Sequence, residues 1–97
     1  MERNKMDERS DMDLLRAYAE GESSAFEVLY NRHQQRLYNY VFSMVKDKTL
    51  TGDIVQETFI KADQTLRAGV YRDEGKFIQW VMRIAHNIVI DYFRKNQ

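Results

Sequence analysis

The clearest pattern of apolar positions covers GKFIQWVMRIAHNIVIDYFRK, residues 75–95. Apolar side chains recur there at intervals of three and four residues, which predicts an amphipathic helix over about 76–95. The side predicted to lie in the core carries Phe77, Trp80, Val81, Ile84, Ala85, Ile88 and Tyr92. The opposite side is predicted to carry Gln79, Arg83, His86, Asn87, Ile90 and Arg94. Amides, guanidinium groups and an exposed isoleucine are an unusual mixture for a face that meets only water.

The same spacing, in weaker form, predicts three earlier helices over about 11–20, 24–46 and 50–68. Asp11 is the expected N-cap of the first helix and Ser23 the candidate cap of the second. The first apolar stripe is Leu14, Leu15, Tyr18 and Ala19. The second is Phe26, Leu29, Tyr30, His33, Leu37, Tyr40, Val41 and Met44. The third is Ile54, Thr58, Phe59, Ala62 and Leu66.

No segment alternates apolar and polar residues as a strand does, and the four glycines lie between the helical segments or near their ends. The predicted fold class is therefore all-α, a compact bundle of three long helices plus one short N-terminal helix. At 97 residues the chain is one domain, predicted over 11–97 after a flexible N-terminus at 1–10.

Composition excludes several classes of protein. The chain has no cysteine, so it has neither a disulfide framework nor a thiolate metal site, which fits the reducing cytoplasm. It has no long apolar run, and MERNKMDERSDMD is too charged for a signal peptide, so we expect no membrane insertion and a cytoplasmic location. His33 is expected at the core edge, and His86 has no second ligand at metal-binding spacing. We expect no metal, no cofactor and no catalytic residue, because the sequence lacks phosphate loops, nucleophile elbows and convergent acid/base pairs.

Charge is distributed unevenly although the net charge is zero. Residues 1–13 hold three basic and five acidic side chains, a balance of −2, whereas residues 76–97 hold four basic and one acidic, a balance of +3. A polyanion would therefore bind the C-terminal helix. The alternative is an ordinary solvated face.

The outward residues of the last helix suit base recognition, because planar amides and guanidinium groups form paired hydrogen bonds with base edges or phosphates. Alternatively, Arg83 and Arg94 form local salt bridges. Arg94 lies three residues after Asp91, so we expect Asp91 to hold an arginine in place.

The preceding loop, AGVYRDEGKF, sets Tyr71 and Arg72 between two glycines, with Lys76 following. An aromatic ring beside cations stacks an unpaired base and neutralises its phosphate. Alternatively, Tyr71 folds onto the bundle.

The third helix carries a polar stripe of Asp53, Gln56, Glu57, Lys61 and Gln64, with Ile60 pointing outward among them. An apolar anchor rimmed by carboxylates and amides is typical of a surface that binds a basic helical partner. A solvated face with one stray apolar residue is the alternative.

Three segments in this order resemble region 2 of a bacterial RNA polymerase sigma factor of the extracytoplasmic function (ECF) class. They are DLLRAYAEGESSAFEVLYNRHQQRLYNYVFSMVKD, DIVQETFIKA and GKFIQWVMRIAHNIVIDYFRK, and the resemblance covers about residues 12–95. Its most specific parts are DIVQETF and the run of Trp80, Arg83-Ile84-Ala85, Asn87, Asp91 and Arg94.

The resemblance implies two partners, core polymerase and promoter DNA. It implies that the third helix binds the clamp coiled coil of the polymerase β′ subunit through Asp53, Gln56, Glu57, Ile60 and Lys61. It also implies that the loop and the fourth helix capture the non-template strand of the −10 element with one base flipped into a pocket. The implied DNA-binding residues are Tyr71, Arg72, Lys76, Gln79, Arg83, His86, Asn87 and Arg94. An anti-sigma factor is a further implied partner.

The chain departs from the family pattern in two places. It stops at RKNQ, so the domain that reads the −35 element is expected to be absent and DNA binding weak. Arg83 and Ile84 occupy the places where housekeeping sigma factors carry exposed paired aromatics, so strand opening is expected to depend more on the −10 sequence. A helical protein-binding module that mimics this domain, without a DNA role, is the competing interpretation.

Overall fold

A computed structural model describes residues 8–72 and 74–96. It contains α1 (Asp11–Ala19), α2 (Ser24–Val45), α3 (Lys48–Arg67) and α4 (Phe77–Lys95), and no strand occurs within the described residues. The predicted all-α bundle of three long helices and one short one is confirmed. Of the predicted flexible N-terminus, residues 1–7 lie outside the described residues.

Consecutive helices run antiparallel around a shared core. Asp11, at the start of α1, contacts Arg32 in the middle of α2, and Tyr18, at the end of α1, packs on Phe26 near the start of α2. Phe26 in turn packs against Phe59 in the second half of α3. The largest completely buried side chains are Leu14, Leu29, Leu37, Val41, Val81, Val89, Thr51 and Thr58. Both buried threonines donate their hydroxyl protons to backbone carbonyls four residues earlier, which removes the cost of burying them.

The helix caps differ from the prediction. Ser10, not Asp11, caps α1, since its hydroxyl accepts a hydrogen bond from the Asp13 amide at 3.1 Å. Ser23 forms no side-chain cap because its backbone is already helical rather than extended. Asp47 caps α3 by accepting from the Leu50 amide at 2.9 Å, so this helix begins at Lys48, two residues before the predicted start.

Asp11 instead joins α1 to α2. Its carboxylate accepts a hydrogen bond from Arg32 Nη1 at 2.9 Å and contacts His33 Nε2 at 2.8 Å. The ring of His33 is largely buried and lies 5.8 Å from that of Phe77, the first residue of α4. The predicted core-edge position of His33 is confirmed, and this polar contact ties the short helix to the bundle.

A second polar contact ties α1 to α3. The Tyr18 hydroxyl donates to the Asp63 carboxylate and accepts from Arg67 Nε at 3.1 Å, while Arg67 also pairs with Asp63. Burial, together with donation to Asp63, raises the pKa of Tyr18 above its ordinary value. A tyrosine hydroxyl carries its proton at neutral pH and can therefore donate to Asp63.

The buried stripe of α4 is broader than predicted. Ile78 and Val89 are buried in addition to the predicted set, because α4 packs against both α2 and α3. Trp80 and Ile84 are half-buried, at the edge of the core. The prediction for Tyr92 was wrong, since its side chain is 36% exposed in the last turns of the helix, where α4 has less cover.

Two other residues of the predicted stripes are also exposed. Tyr30 of α2 is 37% exposed, and Ala19 lies at the surface where α1 ends, while Ala17 is buried instead. Simple periodicity identified the middle of each stripe but not its edges, because the neighbouring helices decide how wide each stripe becomes.

Candidate nucleic-acid and protein interfaces

The outward side of α4 carries the polar residues that its periodicity predicted. The exposed members are Gln79, Arg83, His86, Asn87 and Arg94, and Ile90 is 37% exposed among them. Trp80 and Ile84 are turned toward the core edge instead. Arginines and amides therefore share a surface with one apolar side chain.

A cleft of about 150 Å³ separates the loop before α4 from the first two turns of that helix. Its lining consists of Tyr71, Arg72, Glu74, Lys76, Gln79, Trp80 and Arg83, and we call it the loop cleft. Five of the eight predicted DNA-binding residues meet there. The other three, His86, Asn87 and Arg94, lie farther along α4.

Two aromatic rings form the apolar part of the loop cleft. The ring centroids of Tyr71 and Trp80 are 4.2 Å apart, with planes inclined by 37°, and Tyr71 also meets Phe77 edge-on at 6.4 Å. Tyr71 is therefore folded onto the bundle, which was the alternative interpretation of this loop. It still lines the loop cleft, so a planar apolar surface remains available there.

Two glycines permit the course of this loop. Gly69, just after α3, and Gly75, just before α4, have φ angles of +72° and +76°, a left-handed conformation that other residues adopt with strain. A Cβ atom at either position would meet no neighbouring atom, so backbone conformation rather than space requires glycine. The loop cleft depends on these two turns.

His86 contacts Tyr40, a residue that the sequence analysis did not place near the predicted DNA-binding surface. Its Nδ1 lies 3.2 Å from the Tyr40 hydroxyl of α2, which places an aromatic residue of α2 beside the outward side of α4. The only sequence signal was the position of Tyr40 on the apolar stripe of α2, which does not specify a partner.

Asp91 does not hold Arg94, contrary to the prediction. No ion pair joins these two residues within 8–72 and 74–96. Asp91 instead lines a groove between α3 and α4, together with Asp53 and Glu57. The spacing of three residues permits the pair, but Asp91 faces the neighbouring helix.

The outward side of α3 carries Asp53, Gln56, Glu57, Ile60 and Lys61, all exposed. Ile60 is 51% exposed, and Glu57 pairs with Lys61 at 3.8 Å across one helical turn. This single helical surface therefore combines an apolar anchor with carboxylates and an amide.

Grooves flank the outward side of α3 on both edges. One, of about 320 Å³, lies toward α2 and is lined by Phe26, Tyr30, Gln56, Phe59, Ile60 and Asp63. The other, of about 250 Å³, lies toward α4 and includes Asp53, Glu57, Lys61, Asp91 and Tyr92. Sequence reasoning missed Tyr30, Asp91 and Tyr92 as parts of this surface, because it assigned Tyr30 and Tyr92 to the core and Asp91 to Arg94.

The described part of the chain holds no cluster of three side chains suited to a metal ion. No helix among those residues has the length and hydropathy required to cross a membrane.

Comparison with known proteins identifies the family. Residues 29–97 match the family model for sigma-70 region 2, and the chain belongs to this family. Its relatives include the ECF RNA polymerase sigma factor SigX of Bacillus subtilis, which is 39% identical over 72 residues, covering 74% of this chain and 36% of SigX. The ECF RNA polymerase sigma factor BldN of Streptomyces coelicolor is 32% identical over 87 residues, covering 89% of this chain and 32% of BldN.

A third relative, the ECF RNA polymerase sigma factor SigM of Bacillus subtilis, is 35% identical over 69 residues, covering 71% of this chain and 40% of SigM. The predicted resemblance to region 2 of an ECF sigma factor is thus confirmed. The relatives are sigma factors rather than enzymes, which confirms the predicted class. The chain spans 32–40% of the length of these relatives.

Proposed function

We propose that this chain is the region 2 domain of a transcription initiation factor, which joins core RNA polymerase to promoter DNA. Residues 11–97 form that domain, and the domain acts in the cytoplasm. The observation that carries the proposal is that α3 and α4, which are neighbours, present outward surfaces of opposite chemistry. A protein that bridges two partners requires two such surfaces.

The outward side of α3 is the proposed binding surface for the clamp coiled coil of the polymerase β′ subunit. Ile60 supplies an exposed apolar anchor, and Asp53, Gln56 and Glu57 supply polar contacts around it. Interfaces of this composition concentrate their binding energy in a few central side chains. The grooves on either side of α3 give a partner helix room to settle against the exposed anchor.

The loop cleft and the outward side of α4 are the proposed site for the −10 element, held as a single strand. Unstacking a base costs a few kcal/mol. That cost is offset by contact with the Tyr71 and Trp80 rings, at roughly 1–3 kcal/mol per stacked base, and by phosphate contacts from Arg72, Lys76 and Arg83. His86, Asn87 and Arg94 would contact neighbouring nucleotides along the helix.

The proposal extends to regulation by an anti-sigma factor, a protein that would compete for one of these surfaces. The direct test of the DNA role is fluorescence anisotropy with short labelled single strands carrying −10-like sequences. We expect binding that depends on sequence and weakens as salt rises, with a log–log slope of about −0.7 per neutralised phosphate.

Binding that never develops at millimolar protein, or that ignores both sequence and salt, would instead favour a helical protein-binding module without a DNA role. A pull-down of purified core polymerase with the same preparation tests the other surface independently.

A further inference from the structure

Among the described residues, the lining of the loop cleft combines one carboxylate with three basic side chains. Glu74 lines it together with Arg72, Lys76 and Arg83. Despite these cations, no ion pair or hydrogen bond engages the Glu74 side chain within the described residues. Glu74 is exposed, so a ligand in the loop cleft reaches its carboxylate without breaking an ion pair or hydrogen bond to a described residue.

A carboxylate in a cleft that binds nucleic acid weakens phosphate binding but can recognise a base. It repels phosphate, so it weakens binding wherever it faces the backbone of the strand. An ionised carboxylate only accepts hydrogen bonds, and therefore it recognises N–H groups. The exocyclic amino groups of cytosine and adenine are such donors, and guanine carries one as well, whereas thymine presents a carbonyl oxygen at the corresponding position. The ring N3–H of an unpaired thymine is also a donor, but it lies between two carbonyl oxygens, which repel an approaching carboxylate.

We propose that Glu74 is a specificity-determining residue, which makes the loop cleft select an unpaired base that carries an exocyclic amino group and reject thymine. This inference rests on the proposed function, namely capture of a single strand. The Tyr71 and Trp80 rings stack on the face of any base, so they contribute affinity but do not discriminate between bases. Glu74 accepts a hydrogen bond from the amino group and repels the carbonyl oxygen of thymine, and this difference discriminates between them.

Gln79 completes the recognition because its amide both donates and accepts. It lines the same cleft from the first turn of α4. Once Glu74 holds the amino group of a base, the Gln79 amide group is available to the adjacent ring nitrogen or carbonyl. The cations Arg72 and Lys76 serve the phosphates, which every nucleotide carries.

The experiment uses the whole chain and labelled oligothymidine strands in which one central thymidine is replaced by deoxycytidine, deoxyadenosine or deoxyguanosine. Because one position differs, the measured ratio of affinities reports base choice without knowledge of the −10 sequence. We expect each substituted strand to bind at least about fivefold more tightly than all-thymidine. A strand with 2-pyrimidinone, which is cytosine without its amino group, is expected to bind as weakly as thymidine.

Glu74→Gln is the decisive variant, because it keeps the shape of the side chain and removes its charge. We expect it to reduce the cytosine-to-thymine affinity ratio to within about twofold of unity, since an amide also donates to the thymine carbonyl. Glu20→Gln makes the same chemical change on an exposed residue between α1 and α2 and is expected to leave the ratio unchanged. A general gain in affinity from loss of repulsion does not disturb the ratio.

The outcomes separate this inference from the function on which it rests. Salt-dependent binding with no base preference, or with a preference that survives Glu74→Gln, overturns the role of Glu74 and leaves strand binding in place. Absence of binding to every strand overturns both.

Discussion

The outward sides of α3 and α4 show how two similar helices acquire different partners. Both are amphipathic helices of about the same length, with one exposed isoleucine each, Ile60 and Ile90. Carboxylates surround the first, such as Glu57, whereas arginines and amides surround the second, such as Arg83 and Asn87. The backbone is the same in both cases, so the difference in chemistry lies in the outward side chains.

The connections before the two helices add a difference in shape. Only Lys46, in a left-handed conformation, and the capping residue Asp47 lie between α2 and α3, so α3 begins without a loop beside it. The segment between α3 and α4 is longer, turns at Gly69 and Gly75, and forms the loop cleft against the start of α4. The outward side of α3, with a groove along each edge, suits a partner helix, whereas the loop cleft suits a single base.

The largest expected effect comes from Trp80, which belongs both to the core edge and to the loop cleft. We expect Trp80→Ala to lower the free energy of unfolding by about 3 kcal/mol, the lower end of the range for such truncations, because the ring is half-buried. Urea unfolding measures it, with Ile60→Ala on α3 as the control, expected to change stability by less than about 0.5 kcal/mol. Equal losses of unfolding free energy in the two variants would show that Trp80 contributes no more to stability than the exposed Ile60.

Reversal of charge on α3 should separate the two surfaces most clearly. We expect Glu57→Lys to weaken capture of core polymerase by at least about 2 kcal/mol, or roughly 30-fold, if this side chain is central to the interface. Strand binding and the melting temperature should change little, since Glu57 is exposed and its ion pair is with the neighbouring Lys61 on the same helix. Glu20→Lys is the matched control, and a parallel loss of folding would show that Glu57 acts on stability.

Truncation of an amide on α4 tests the opposite surface. Asn87→Ala is expected to weaken −10 strand binding by about 1–2 kcal/mol, the usual contribution of a side chain that reads a base edge, and to leave polymerase capture unchanged. Gln64→Ala removes an exposed amide from α3 and serves as the control in the same anisotropy titration. Unchanged strand affinity in Asn87→Ala would exclude this residue from the DNA site.

The smallest expected effect concerns Asp91, which lies between the two surfaces. Because it faces the groove toward α3 rather than Arg94, we expect Asp91→Ala to change strand affinity by less than about twofold. Polymerase capture should weaken a few-fold, since the same groove contains Asp53 and Glu57. A loss of strand binding instead would indicate that Asp91 orients the arginines of α4 in solution.

The sequence predicted most of the fold and the exposure of the polar residues on α3 and α4, because these depend on local periodicity. The outward positions of Arg83 and Asn87 were predicted from the spacing of apolar residues within two turns of them. Where these predictions failed, the cause was the packing between distant segments, or the lack of it. Asp11 pairs with residues of α2 instead of capping, Tyr92 emerges where α4 lacks cover, and Asp91 turns toward α3.

The sequence by itself determined that four helices form. It also determined which of their sides carry acidic, basic and amide side chains, since side-chain chemistry and helical spacing are local properties. Only the tertiary structure decided that Tyr71 rests on Trp80, that Glu74 joins three cations around one cleft, and that Asp91 shares a groove with Glu57. These arrangements depend on how helices and the loop pack against one another, and no interval along a single helix specifies that packing.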